Sequence, residues 1–115
     1  MATKQEIEYF MNALNEKIRV FDVSFRHREK NLQALADLEI TAIQRRDFLL
    51  NLTIENYYTG PKVDTYDLSL PDYYEFGIII KKIEVYIKIS LGKPNKSVDC
   101  MSFHPAEFKI KYPFK

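Results

Sequence analysis

A single cysteine, Cys100, rules out an internal disulfide, and the chain also lacks the second cysteine and the clustered histidines of a zinc site. Its thiol is expected to be buried and inert. Three glycines are too few to cradle a nucleotide's phosphates, and neither G-x-x-x-x-G-K-[ST] nor G-x-G-x-x-G occurs. No apolar run approaches the roughly 18 residues that span a bilayer, so neither a transmembrane helix nor a membrane partner is expected. The opening "MATKQEIEYF" carries acids and lacks the long apolar core of a signal peptide, which predicts a cytoplasmic protein. Tryptophan is absent, but eight Tyr and eight Phe supply an aromatic core.

What is present fits one domain over residues 1–115. The net charge is only +1, yet it is unevenly spread. Residues 1–80 are net acidic, whereas residues 81–115 hold eight Lys against three acids. Such asymmetry fits either a polyanion partner or a solvated lysine-rich surface.

Helical spacing comes first along the chain. Ile7, Phe10, Met11, Leu14 and Ile18 share a face, and Thr3 with Glu6 matches a capping box, predicting a helix over about 4–17. "RVFDVSF" turns β-like. Leu32, Leu35 and Leu38 form the stripe of a second helix. Thr41 and Gln44 cap a third, with Ile43, Phe48, Leu49 and Leu52 as its apolar face. Thr53 is placed to cap one further turn, and Gly60-Pro61 breaks the chain.

The rest reads as strands. "TYDLSL" suits an edge strand. "YYEFGIII" is a strand whose Gly77 marks a bulge or a close approach. "IEVYIKIS" alternates strictly, with Ile83, Val85, Ile87 and Ile89 on one face and Glu84, Tyr86, Lys88 and Ser90 on the other. "SVDCMSF" is the last strong strand, and the tail "KIKYPFK" alternates but for Pro113. Short connections predict an antiparallel meander. The expected fold class is α+β, with N-terminal helices packed on a twisted antiparallel sheet.

Candidate chemistry lies on the polar face of 83–90. Tyr86 and Lys88 stand side by side there, as a phenol and an ammonium able to hold phosphate or move protons. His104 ends the last strand, where Pro105 favours extended backbone. A histidine can both accept and donate protons near neutral pH. His27 sits among charges in "FRHREK" and reads as surface. Ser102 shares a strand face with His104, but no acid completes a triad. With no cluster of metal ligands, the set His104, Tyr86, Lys88 and Glu75 on a basic sheet suits metal-free acid–base cleavage of RNA.

The segments "ALADLEIT…RRDFLLNLTIENYY", "VYIKI" and "VDCMSFH", in that order and covering roughly residues 35–104, resemble the MqsR-like toxins of bacterial type II toxin–antitoxin systems, within the RelE-like group of messenger-RNA-cleaving toxins. The resemblance implies helices on an antiparallel sheet and endoribonuclease activity without cofactor. It implies a messenger-RNA substrate and a cognate antitoxin with a helix-turn-helix, and leaves contact with the ribosome open. By position, the family's catalytic tyrosine falls on Tyr86, its basic residue after S-F on His104, and its glutamine near Glu75. A family lysine falls on Thr59, with Lys62 three residues on as its substitute. Lys88, Lys81 and Lys82 would counter phosphate charge. The alternative is a non-catalytic α+β module that binds protein or nucleic acid through its basic, aromatic sheet.

Overall fold

Thr3 and Glu6 form the capping box their spacing predicts. The Thr3 hydroxyl accepts from the Glu6 amide at 3.2 Å, and the Glu6 carboxylate accepts from the Thr3 amide at 3.4 Å. The helix they start, α1 (Lys4–Phe21), runs past the expected end and stops at Asp22, where φ is 65°. In this computed structural model, which describes residues 1–115, α1 is followed by β1 (Val23–Phe25), α2 (Glu29–Asp37), α3 (Ala42–Leu50), a 3₁₀ turn (Ile54–Asn56) and β2 (Tyr57–Lys62). Then come β3 (Tyr73–Ile80), β4 (Ile83–Ser90) and β5 (Val98–Pro105). No helix is long and apolar enough to cross a membrane.

The three helices pack on one five-stranded sheet of order β1-β5-β4-β3-β2. Strands β3 to β5 form the expected antiparallel meander, and β2, which was not expected, adds antiparallel to β3. The sheet is nevertheless mixed rather than wholly antiparallel, because β1 joins β5 in parallel. The open edge of β5 offers its amides and carbonyls to a strand of either direction, and "VSF" carries no signal for which it takes.

Alternation fixes which face is buried. Val85, Ile87 and Ile89 of β4 point into a core with Phe76, Phe103, Ile7, Leu14 and Ile18. Phe10 of α1 stacks on Tyr74 with ring centroids 4.0 Å apart. Full burial of one such side chain contributes about 1.5–3 kcal/mol.

Other expectations are corrected. "TYDLSL" forms no strand. Asp64 turns inward and accepts from the amides of Tyr66 and Asp67, and the Asp67 carbonyl accepts from Leu70. Aspartates that capture nearby amides compete with a sheet ladder and make turns. The edge strand is β2 instead, with Gly60-Pro61 inside it rather than breaking it. Of the leucine stripe, Leu38 is buried and Leu35 packs against the core, but Leu32 is exposed, and Asn31 and Ala34 also face inward. On α3 the Thr41–Gln44 box forms as expected, but Ile43 is 77% exposed.

The tail 106–115 forms no strand; it folds back over the polar face of the sheet. There the Ile110 amide and the Tyr112 hydroxyl donate to the two Glu84 carboxylate oxygens at 3.0 and 2.9 Å. Burial first, then Glu84, pushes the Tyr112 phenol up to about 12. Gly77 is a close approach, since a Cβ there would lie 2.4 Å from the Tyr112 Oη and 2.7 Å from the Ile110 Cδ1. Gly77→Val should therefore destabilise the fold by about 1–3 kcal/mol. Thermal unfolding checks this, and the loss should shrink when Ile110 and Tyr112 are both replaced by Ala.

Candidate active site

Register builds the site. On the polar face, β4 presents Tyr86 and Lys88, and β5 sets His104 opposite Tyr86 and Ser102 opposite Lys88. From the other side β3 sets Glu75 opposite Lys88 and Gly77 opposite Tyr86. Directly opposed side chains on one face stand about 4.5–5.5 Å apart at Cβ. The tail adds Phe108 and Glu107, and the start of α2 adds Arg28 to Asn31. The residues from β4, β5, the tail and the start of α2 line a polar cleft of about 590 Å³, and Glu75 stands behind Tyr86 outside it.

His104 is only 8% exposed, and its ring centroid lies 5.6 Å from that of Tyr86. Its Nδ1 is 2.9 Å from the Pro105 carbonyl oxygen. A carbonyl can only accept, so in the neutral ring Nδ1 holds the hydrogen and Nε2 carries the lone pair. Nε2 has no partner within the protein, and no buried side-chain polar atom lacks one, so Nε2 is open to solvent.

Glu75 is a buried carboxylate with both oxygens occupied. The Tyr86 hydroxyl donates to Oε1 at 2.5 Å, and the Lys62 ammonium pairs with Oε2 at 3.2 Å. Burial first, then Glu75, pushes the Tyr86 phenol far up, so it keeps its proton. Burial alone would lower Lys62, but the Glu75 carboxylate outweighs it and the ammonium is held above its usual range. Lys62 thus neutralises Glu75 and does not line the cleft, while Thr59 lies opposite Glu75 on β2.

Two cations in the cleft have no carboxylate within ion-pair distance: Arg28 and Lys88. Burial, then the like charge of Arg28, lowers Lys88. Its ammonium lies 4.2 Å from the Tyr73 ring centroid. Arg26, by contrast, is bound to Asp99 through two hydrogen bonds, and Lys30 is paired with Glu107. A like-charged pair held near a cleft wall is relieved by an anion between its members.

The fold therefore brings His104, Tyr86, Lys88 and Glu75 together and leaves Lys81 and Lys82 apart. Those two occupy the β3–β4 turn, where Lys81 donates to the Glu39 carbonyl at 2.7 Å. Of the eight lysines in residues 81–115, only Lys88 lines the cleft. His27 is exposed as read. Arg28 and Phe108 are additions that sequence reasoning missed. Arg28 sits in the "FRHREK" run read as surface, and no local pattern distinguishes it from its neighbours.

Fold and site define an α+β domain with a half-covered sheet face bearing a cationic, imidazole-containing cleft. Comparison with family models, curated proteins and solved structures finds no match to this chain.

Proposed function

We propose that the protein is a metal-independent endoribonuclease that cleaves messenger RNA, the toxin of a toxin–antitoxin pair held in check by a cognate antitoxin. One observation carries the reading: an imidazole with a free Nε2 shares a cleft with two unpaired cations, Arg28 and Lys88. His104 takes the proton of a 2′-hydroxyl, and the freed oxygen attacks the adjacent phosphorus. The bond to the 5′-oxygen breaks as a 2′,3′-cyclic phosphate forms. Arg28 and Lys88 hold the phosphate oxygens, and Lys88, made more acidic by burial and by Arg28, returns a proton to the leaving oxygen. Tyr86 and Lys62 occupy the Glu75 carboxylate and screen its charge from the phosphate. The toxin role and the antitoxin rest on the sequence resemblance.

Cleavage of a short RNA by the purified protein in excess chelator tests the reading. A single 2′-deoxy substitution at the cut site should abolish the cut there, because the attacking oxygen is gone. Cleavage that survives the substitution would overturn the mechanism. No cleavage of any RNA, free or ribosome-bound, would leave a binding module.

A further inference from the structure

Phe108 is 47% exposed, yet it is not loose. Its ring packs between Tyr86 and Tyr58, with centroids 5.8 and 5.6 Å away. On its N-terminal side the Ala106 amide donates to the Glu84 carbonyl at 2.8 Å, and on its C-terminal side Ile110 and Tyr112 grip the Glu84 carboxylate. Phe114 then docks against Tyr57 at 5.7 Å between centroids. The chain on both sides of Phe108 is thus pinned, and the aromatic ring is fixed at the cleft wall before any ligand arrives. A fixed ring costs little further ordering on binding.

The same cleft holds the two unpaired cations. The neighbouring Glu107 carboxylate is bound to Lys30 and so does not oppose an anion at full strength. A ligand that satisfies this wall has a flat, apolar part for Phe108 and an anionic part for Arg28 and Lys88. A nucleotide has both, and a cleft of about 590 Å³ is large enough to take one. We infer that Phe108 is a stacking platform for one nucleobase of single-stranded RNA next to the phosphate held by Arg28 and Lys88. This rests on the ribonuclease reading and adds the subsite that sets the register of the strand. Stacking on an aromatic ring tolerates any base, so Phe108 contributes affinity and position rather than sequence choice.

Binding of a short, fluorescently labelled RNA with every 2′-hydroxyl methylated, and so uncleavable, tests the platform apart from the chemistry. Phe108→Leu keeps the bulk packed on Tyr86 but removes the π-face. It should weaken binding by on the order of 10-fold or more, while Phe108→Tyr restores it. In the wild type, removing the base at one position of the RNA should cost the same factor, and in Phe108→Leu that removal should cost nothing further. Equal affinity of wild type and Phe108→Leu would overturn the platform. So would a loss in Phe108→Leu that is the same whichever base is missing, since that pattern reports a structural effect. Absence of wild-type binding also overturns it, and cleavage of the unmodified RNA by the same preparation then shows separately whether the ribonuclease reading stands.

Discussion

His104→Ala should lower RNA cleavage by about 10²–10⁴-fold, the usual contribution of a positioned acid–base group. The fold should survive, because the ring makes one hydrogen bond, to its neighbour's carbonyl. The size of the effect follows from how few substitutes stand near the ring. Tyr86 cannot act as the base, since burial and Glu75 hold its proton in place. Lys88 is a cation, and Glu107 is held below the usual carboxylate range by Lys30. Tyr86→Phe should cost much less, because Lys62 still covers one oxygen of Glu75. Single-turnover cleavage of a defined RNA separates these cases. If Tyr86→Phe proves as damaging as His104→Ala, the phenol takes part in proton transfer after all. If Glu29→Gln, at another wall of the cleft, causes the larger loss, that carboxylate is the base.

Asn31→Leu has the largest effect expected on stability. Asn31 is 1% exposed and stands in for a missing strand. β1 ends at Phe25, paired with Cys100, so β5 beyond that point has no strand on its outer edge. There the Asn31 side chain donates to the Met101 carbonyl and accepts from the Phe103 amide, both at 3.0 Å, and it also donates to the Arg26 carbonyl at 3.0 Å. The strand slips register at this place, with Lys88 opposite Ser102 but Ile89 opposite Cys100, so Met101 is an extra residue. Leucine matches the volume and leaves a buried amide and carbonyls unpaired, at about 1–3 kcal/mol for each group so stranded. Thermal unfolding should fall by on the order of 10 °C or more, a large share of a small domain's margin. Cleavage should weaken as well, because Asn31 ties the start of α2, which carries Arg28, to the strand that carries His104. An unchanged melting temperature would mean the edge is held by something else.

Local chemistry determined much of this protein. Thr3 with Glu6 and Thr41 with Gln44 started helices where their spacing said, because a capping box needs only four consecutive residues. Strict alternation in "IEVYIKIS" determined that Tyr86 and Lys88 share the polar face, because a strand's period is two. Cys100 is fully buried, as expected of a lone thiol, and burial pushes it well above its usual range.

Only the tertiary structure decided which distant residues meet. A period tells a side chain which face to take, but it carries no address for the partner. Asn31 carries no local mark of a core role, and only the unpaired edge of β5 gives it one. Arg28 became a cleft residue because α2 docks beside β5. Phe108 joined Tyr86 because Glu84 and the bare backbone of Gly77 hold the tail across the sheet. Lys81 and Lys82, sound by charge, were carried to the hairpin tip by the same register that joins His104 to Tyr86.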